Sequence, residues 1–424
     1  MQRLVSALGF WFLVSLPGWA GDWPQWRGPN RDAVWTERGM PETFPPSGLK
    51  VRWRVAVGPG HASPVVARGR VYVSDSQKSK PHAWERVICF DERTGKRLWS
   101  YSDEVNLTES WFNPNNKSGP IPTPVVSKGH VVALGSTGHV LCLDARNGNL
   151  LWKRDLGEDF ALGGFAELTP CPLVERGLVI VVIGGKPGAC VVALDLHTGK
   201  DVWTALGDPY TFSSPTIINA GGKRQFIVWT TKAVTSLDPV SGKILWREEL
   251  ITREDYTVAT PVSDGGRLLI SGLMFQLDPL KPAARILWPE TKTVSKRVLS
   301  HTCIPLILGD CVYAGKMSGH LVCLDAHTGS QLWETGQVTG LKNGATIHMT
   351  LNGNSVLIFT DQGNLIRARL TPTGYSELSR AHLIDPDYTF GDHQVVWAPP
   401  AYANRHVFAR NYTELVCASL TETP

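Results

Sequence analysis

A short motif, Leu-Asp-x-x-Thr-Gly-x-x-Leu-Trp or a close variant, recurs along the chain and constrains its fold more than any other feature. Its five clear copies are ICFDERTGKRLW (88–99), LCLDARNGNLLW (141–152), VALDLHTGKDVW (192–203), TSLDPVSGKILW (235–246) and LVCLDAHTGSQLW (321–333). Repetition at a nearly constant period indicates stacked copies of one structural unit, because each copy needs its neighbours to bury its apolar face.

Each repeat unit reads as four short strands. A unit opens with a small residue and proline, as in SPVVARGRVYVSD from Ser63 and TPVVSKGHVVALGS from Thr123. The alternation of apolar and polar residues that follows indicates strands with one buried face. Asp with Thr-Gly after it predicts a hairpin turn, because Gly accepts a positive φ and Asp bonds nearby backbone N–H groups.

A tryptophan ends most units, on what we predict to be the outermost strand. Two units are degenerate: the one at Phe275–Trp288 keeps Asp278 but loses the Thr-Gly, and the one from Asn354 lacks the tryptophan. The tryptophans are separated by 42 to 53 residues, the length of a four-stranded propeller blade. We expect each ring to pack against the next blade while its indole N–H bonds the backbone there. The predicted docking tryptophans are Trp53, Trp99, Trp152, Trp203, Trp246, Trp288 and Trp333.

The two ends of the repeat region complement each other. Residues Leu49–Val57 read as one outer strand without the rest of a blade, and residues 397–420 supply only three strands. Pairing them closes the ring and removes the exposed sheet edges. The sequence therefore predicts an all-β fold over residues 47–424: an eight-bladed β-propeller of four-stranded antiparallel blades, closed by its N- and C-terminal strands. A linear β-solenoid is the alternative, which the split blade disfavours.

The N-terminal 46 residues divide into two predicted segments. Residues 1–20 have a basic start, an apolar run of 13 residues and small residues at Gly18 and Ala20. This pattern is typical of a signal peptide cleaved after about Ala20, with an uncleaved anchor as the alternative. It predicts a periplasmic or secreted protein. No cysteine lies near the cleavage site, so a lipoprotein is not expected. Residues 21–46 carry Trp23, Trp26 and Trp35 and are predicted to pack on the ring.

Charge and cysteine content narrow the function classes. The formal charge is only +4 and no long run of Lys or Arg occurs, so a nucleic-acid partner is not expected. Four of the eight cysteines (Cys89, Cys142, Cys323 and Cys417) occupy equivalent strand positions and are expected to be buried as small apolar groups. Two further pairs, Cys171–Cys190 and Cys303–Cys311, are left open as disulfides, because spacing does not fix connectivity.

The repeat resembles that of the pyrroloquinoline quinone (PQQ) dehydrogenases, a family of eight-bladed propellers with a tryptophan-docking motif. The resemblance covers nearly all of residues 47–420. The same repeat occurs in non-enzymatic outer-membrane assembly factors of the BamB type. The N-terminal DWPQWRGPNRD is similar to the start of exported PQQ-like repeat proteins of planctomycete-type bacteria.

The resemblance to the dehydrogenases implies a vicinal disulfide, a Ca²⁺ ion held by carboxylate and amide oxygens, and an Asp general base. This chain has no adjacent cysteines and is shorter than those enzymes. The repeat Asp residues are turn formers, so none of them matches a metal ligand. We therefore expect no catalytic residue and no cofactor, with PQQ and Ca²⁺ as the alternative.

Candidate binding residues lie in the loops that lead into the innermost strands, where propellers usually bind their ligands. Two interpretations remain open: the residues converge on a metal, quinone or sugar site, or each one satisfies the backbone of its own loop. No HExxH, CxxC, Walker-type loop or GxSxG motif is present to support an unaided hydrolase or NTPase. The candidates are His61, Trp111, Asn113, Glu167, Tyr210, Tyr256, His301, His348, His393 and Trp397.

The sequence as a whole favours a monomeric, non-catalytic scaffold that binds an envelope protein or peptide through its axial face or a blade edge. The resemblance to BamB-type factors implies outer-membrane protein assembly as one such role. The alternative is a quinoprotein-type oxidoreductase that binds PQQ and a divalent metal at the axis. A carbohydrate-binding module that stacks sugars on Trp111, Tyr210 and Trp397 is a third hypothesis.

Overall fold

The computed structural model describes residues 21–106, 112, 119–162, 167–250, 258–289 and 303–421. Eight four-stranded antiparallel sheets make up almost all of this part of the chain, with one additional two-stranded hairpin and the four-residue helix α1 (Leu156–Asp159). No helix in these residues is long and apolar enough to cross a membrane. The predicted signal peptide, residues 1–20, lies outside the described residues.

The first strand along the chain is β1 (Val51–Ala56), and three blades follow it in order. Blade 1 comprises β2 (Val65–Ala67), β3 (Arg70–Ser79), β4 (His82–Asp91) and β5 (Arg97–Glu104). Blade 2 comprises β6 (Val125–Ser127), β7 (His130–Leu134), β8 (His139–Asp144) and β9 (Leu150–Asp155). Blade 3 comprises β10 (Leu173–Glu175), β11 (Leu178–Gly185), β12 (Ala189–Asp195) and β13 (Asp201–Ala205).

Blades 4 to 6 have the same four-stranded order. Blade 4 comprises β14 (Thr216–Ala220), β15 (Lys223–Trp229), β16 (Ala233–Leu237) and β17 (Ile244–Glu249). Blade 5 comprises β18 (Val262–Ser263), β19 (Arg267–Ile270), β20 (Leu273–Leu277) and β21 (Ala284–Trp288). Blade 6 comprises β22 (Leu306–Leu308), β23 (Cys311–Gly315), β24 (Leu321–Asp325) and β25 (Gln331–Thr335).

The last two blades are separated by a hairpin. Blade 7 comprises β26 (Ile347–Asn352), β27 (Ser355–Thr360), β28 (Asn364–Thr371) and β29 (Gly374–His382). The hairpin comprises β30 (Tyr388–Phe390) and β31 (His393–Val395). Blade 8 comprises β32 (Ala401–Ala403), β33 (His406–Arg410), β34 (Glu414–Ser419) and β1.

Blade 8 closes the ring as the sequence predicts. Strand β1 pairs with β34 in antiparallel register, so that Trp53 lies opposite Cys417 and Val55 opposite Leu415. The first strand of the ring is thus the outer strand of the last blade. The eight-bladed propeller is confirmed, and the linear solenoid is wrong because its ends would remain unpaired.

The outer-strand tryptophans contact the next blade through a turn glycine. The ring of Trp152 lies so close to Gly199 of the next blade that a Cβ there would approach it to 2.7 Å. The Trp152 indole also donates a 2.8 Å hydrogen bond to the carbonyl of Leu196. The same ring-on-glycine contact joins Trp53 to Gly95, Trp99 to Gly148, Trp203 to Gly242 and Trp288 to Gly329.

Two of the predicted docking tryptophans differ from this arrangement. Blade 5 has no glycine after Asp278, and the indole of Trp246 donates instead to Gln225 in its own blade, at 2.7 Å. The blade 7 turn keeps Thr373-Gly374 but has Leu370 in place of the Asp; nothing lies within 4 Å of a Cβ at Gly374, and the Trp333 indole donates to the Thr371 carbonyl at 2.9 Å. Both variations follow from the two degenerate repeat units.

Neither of the disulfides left open by the sequence is present: all eight cysteines are buried free thiols. The thiol of Cys171 accepts a hydrogen bond from the backbone N–H of Thr123 in blade 2, at 3.2 Å. The thiol of Cys303 accepts from Ile347 in blade 7, at 3.1 Å. The thiols of Cys171 and Cys303 therefore accept hydrogen bonds from the neighbouring blade, and neither forms a disulfide with a cysteine of its own blade.

Residues 22–35, which we call the N-terminal plug, lie against the inner strands. Trp23 exchanges backbone hydrogen bonds of 2.8 and 2.9 Å with Val66 of β2, and Val126 of β6 donates to Pro24 at 2.8 Å. The Trp26 indole donates to Thr260, before blade 5, at 2.9 Å, and Trp35 donates to Leu351 of β26 in blade 7 at 2.8 Å. The segment thus crosses the interior of the ring near the end of the inner strands.

Candidate functional site at the axial mouth

The loops that lead into the inner strands are joined by a chain of hydrogen bonds. Ser63 donates its backbone N–H to the hydroxyl of Thr123 at 3.0 Å, and Cys171 donates to the hydroxyl of Ser214 at 2.9 Å. Each acceptor stands immediately before the proline that opens the next inner strand. The small residue before each proline therefore fixes one blade against its neighbour, and it holds the inner loops at one end of the axis, which we call the mouth.

An aromatic cluster lies at the mouth and contains two of the predicted residues, His61 and Trp397. Their rings stack at a centroid distance of 5.6 Å. Tyr388 contacts both of them, at 5.4 Å from His61 and 5.1 Å from Trp397. Tyr412 stacks on Tyr388 at 4.7 Å, and its hydroxyl bonds the His61 imidazole. Phe390 completes the aromatic cluster at 4.9 Å from Trp397.

The His61 imidazole is held in its neutral form. Burial, and next the positive charge of nearby Arg410, lower the pKa of His61 to about 3. Arg410 is fully buried and donates to the carbonyls of Ser74 and Gly58, at 2.8 and 2.6 Å. A fixed guanidinium beside the imidazole makes protonation of His61 unfavourable at neutral pH.

His348 and His393 lie next to the aromatic cluster. The Nε2 of His348 bonds the carbonyl of Trp397 at 2.9 Å, and burial lowers the pKa of His348 to about 4. His393 stands on β31 with its Nδ1 at 3.1 Å from Asp392, and its ring meets Phe390 edge-on at 6.3 Å. Both residues contact the segment that runs from β30 to β32.

Glu167 and Lys78 are the charged groups on one side of the mouth, and Tyr210 lies within electrostatic reach of Glu167. Burial raises the pKa of Glu167, and the Lys78 charge opposes this shift. Burial lowers the pKa of Lys78, and the Glu167 charge opposes that shift in turn. Burial and then the negative charge of Glu167 raise the pKa of both Tyr210 and Tyr388. Glu167 is therefore within electrostatic reach of blade 1, blade 4 and the aromatic cluster.

The remaining four predicted site residues, Trp111, Asn113, Tyr256 and His301, lie outside the described residues. Sequence reasoning missed Lys78, Tyr388, Phe390 and Tyr412, none of which stands in a loop immediately before an inner strand. A signal for two of them was available: residues 383–400 form one of the longer connections between blades, and part of this connection is the β30–β31 hairpin that carries Tyr388 and Phe390.

The cavity inside the described part of the axis is too small for a quinone. Between the plug and the mouth there is a cavity of about 30 Å³, lined by Arg27, Ser63 and His348 among others. That volume holds one or two water molecules, whereas a tricyclic quinone is far larger. In the stretches that the structure describes, no three His, Cys, Asp or Glu side chains are grouped to hold a metal ion.

Comparison with known proteins places the chain among the PQQ-like propellers. A family model described as outer membrane protein assembly factor BamB matches residues 46–108, 83–276 and 191–399. BamB of Moranella endobia is 23% identical over 314 residues, which cover 69% of this chain and 74% of that protein. The quinohemoprotein alcohol dehydrogenase of Comamonas testosteroni is 30% identical over 160 residues, or 35% of this chain. That match spans only 20% of the dehydrogenase.

Solved structures give the same answer at the level of the fold. The quinohemoprotein alcohol dehydrogenase of Comamonas testosteroni superposes with a TM-score of 0.67 at 15% identity, covering 96% of this chain and 82% of that one. BamB of Moraxella catarrhalis superposes with a TM-score of 0.58 at 17% identity, covering 88% and 99%. Since the family model matches most of the ring, this chain belongs to the PQQ-like repeat β-propeller family that includes BamB.

Proposed function

We propose that this chain is an exported, non-catalytic binding scaffold that holds a segment of another envelope protein at its mouth. The observation that carries the proposal is the aromatic cluster of His61, Tyr388, Phe390, Trp397 and Tyr412. All of these rings except that of Tyr412 are only partly buried, so the cluster keeps apolar surface available to a partner. Tyrosine and tryptophan supply large contact areas and dominate the energetics of protein interfaces.

The charges around the aromatic cluster support binding rather than acid–base catalysis. A general base works best with a pKa near the working pH, whereas the pKa values of His61 and His348 lie at about 3 and about 4. Lys78 and Glu167 have opposite charges and act on each other electrostatically, and Glu167 also acts on Tyr388 of the aromatic cluster. A partner segment with an apolar centre and mixed charges at its ends would match this surface.

Family membership supports an envelope role. The signal-peptide pattern of residues 1–20 predicts export, and the similarity to BamB suggests that the partner takes part in outer-membrane protein assembly. A protein or peptide partner is favoured over a sugar, because the cluster rings pack on one another rather than forming one flat platform.

The test is a comparison of three purified proteins that lack residues 1–20: the otherwise unchanged chain, Trp397→Ala and the control Leu280→Ser. Leu280 is 89% exposed in the β20–β21 turn, so its change leaves the mouth untouched. Each protein is immobilised and offered envelope extracts, and any retained protein is identified and then purified for affinity measurement.

The proposal requires one envelope protein that binds the unchanged chain and Leu280→Ser equally and binds Trp397→Ala at least about tenfold more weakly. Equal binding by all three would refute a role for the mouth. Stoichiometric uptake of PQQ with Ca²⁺, together with dye reduction in the presence of alcohols, would establish the oxidoreductase instead. Binding on a glycan array without a protein partner would favour the carbohydrate-binding hypothesis.

A further inference from the structure

A second cavity lies at the opposite end of the inner strands from the mouth. It has a volume of about 420 Å³, opens to solvent on one side, and is lined by the N-terminal plug and by residues of β10, β14 and β18. Its lining is polar on the plug side, where Gln25, Arg27, Asn30 and Arg31 contribute. Nothing in the proposed function uses this cavity.

Two arginines of the plug are almost completely buried beside it. Arg27 is 7% exposed and Arg31 is 3% exposed. Arg27 donates to the carbonyls of Arg31 and Asp32, at 3.1 and 3.5 Å. Arg31 donates to the carbonyls of Pro172 and Cys171, at 2.9 and 3.4 Å, and to the side-chain oxygen of Gln25 at 3.4 Å, while its Nε is buried without a hydrogen-bond partner among the described residues. Both guanidinium groups therefore bond neutral oxygens and keep unused donor capacity.

Within the described residues, neither Arg27 nor Arg31 forms an ion pair with a carboxylate. The carboxylates in the cavity lining are Asp32 and Glu175. Asp32 accepts the backbone N–H of Val34 at 3.0 Å and influences Arg27 only through its charge. Glu175 is held in a two-point contact by Arg224, at 2.6 and 2.8 Å. Buried charges are normally paired, because desolvation without a partner is costly.

The backbone of the plug is bent in an uncommon way to place these side chains. Arg27 has a φ of 59°, Arg31 of 60° and Ala33 of 57°. This left-handed conformation is rare for residues other than glycine, asparagine and aspartate, and it persists only where the surroundings enforce it. Three such residues within seven positions indicate that contacts with the surrounding blades enforce this backbone conformation and hold both arginines at the cavity.

We propose that this cavity binds a small oxyanion, either a carboxylate or a tetrahedral sulfate or phosphate, through Arg27 and Arg31. Guanidinium groups recognise both classes with paired N–H donors. The bound anion neutralises the two buried charges and fixes the plug against blades 3, 4 and 5. The site is separate from the mouth, so it can exist whether or not the proposed partner binds there.

Titration calorimetry with sulfate, with phosphate and with succinate tests the proposal on the chain without residues 1–20. Sodium chloride at equal ionic strength serves as the control for general salt effects. The variants are Arg27→Gln and Arg31→Gln, and the matched control is Arg38→Gln, an exposed arginine in the same N-terminal extension. We expect saturable binding of at least one oxyanion and, in the two plug variants, a loss of affinity of at least about tenfold.

The pattern among the probes distinguishes the two classes: preference for succinate indicates a carboxylate ligand, and preference for sulfate or phosphate a tetrahedral one. Absence of saturable binding to the unchanged chain, or equal affinity in the plug variants, overturns the proposal. If a plug variant does not fold, crystals of the unchanged chain grown with selenate decide the matter. Anomalous density within reach of Arg27 and Arg31 is required, and a cavity that stays empty at saturating selenate and, in parallel crystals, at saturating 4-bromobenzoate refutes the site.

Discussion

The rim and the axis of this ring differ in how far their contacts repeat. At the rim, a tryptophan of one blade lies on the turn glycine of the next, and the contact recurs around most of the ring. At the axis, the blades contribute different side chains, among them His61, Glu167 and Tyr210. The repeated residues supply the packing that closes the ring, and the unrepeated ones are free to differ in their chemistry.

The comparison predicts that replacing an aromatic side chain at the rim mainly lowers the free energy of unfolding, whereas replacing one at the mouth mainly weakens partner binding. Trp152 is 9% exposed and packs between two blades, so Trp152→Ala should lower the free energy of unfolding by about 3–5 kcal/mol. Trp397 is more exposed, and Trp397→Ala should cost about 1–2 kcal/mol. Urea denaturation followed by circular dichroism measures both, and equal losses would contradict the division.

Two glycines of blade 3 allow the energetic contribution of the tryptophan contact to be measured separately from that of backbone strain. Gly199 and Gly177 both have positive φ, of 68° and 85°, but only Gly199 faces a tryptophan ring, and nothing lies within 4 Å of a Cβ at Gly177. Gly177→Ala should therefore cost about 1–2 kcal/mol for the backbone alone. Overpacking against Trp152 should add about 1–3 kcal/mol in Gly199→Ala. Thermal unfolding of both variants measures the difference in stability. Equal stabilities would show that the Trp152 ring can move away from an added Cβ without cost.

Between pH 6.5 and pH 4 the axis should also carry a pH dependence that the Asp turns of the rim lack. Hydrogen bonds in those turns lower the pKa of Asp91, Asp195 and Asp325 below its usual value, so these groups titrate at lower pH. His61 and His348 have folded-state pKa values of about 3 and about 4, below the usual 6.5. As the pH falls below about 6.5, these two histidines become protonated in the unfolded chain but stay neutral in the folded one. The free energy of unfolding therefore decreases until the pH reaches the folded-state pKa. Each histidine contributes about 1.4 kcal/mol per pH unit in that interval.

Urea denaturation at several values between pH 6.5 and pH 4 measures this dependence. In His61→Gln the slope of unfolding free energy against pH should decrease by one proton. His327→Gln is the control, because His327 lies in an exposed blade turn beside Asp310. An unchanged slope in His61→Gln would show that this imidazole is protonated in the folded protein.

Sequence alone predicted the rim nearly completely. The Asp-Thr-Gly turns and the periodic tryptophans specify local geometry, so blade number, strand order and the β1–β34 closure followed from spacing. The axis was predicted only in outline. Tyr388 comes from a hairpin between blades and Tyr412 from the β33–β34 turn of blade 8, and no local rule brings either of them to His61. The plug arginines gave no signal either, because their burial depends on the whole ring.

The docking tryptophans Trp152 and Trp203 differ in one hydrogen bond, and this difference has the smallest expected effect on stability. In most blades the indole bonds the carbonyl one residue after the repeat Asp, as Trp152 does with Leu196. In blade 4 that position is Pro239, and the Trp203 indole N–H is buried without a partner. Trp203 keeps the ring contact with Gly242 but not the hydrogen bond.

Trp152→Phe should therefore cost about 1 kcal/mol more than Trp203→Phe, because only Trp152→Phe leaves a buried carbonyl without its donor. Removing the unpaired N–H of Trp203 should offset part of the area lost with the smaller ring. Equilibrium unfolding of both variants under the same conditions gives the difference directly. If Trp203→Phe is the more destabilised of the two, the proline turn provides an acceptor after all, and the rim contacts are more uniform than their turn sequences suggest.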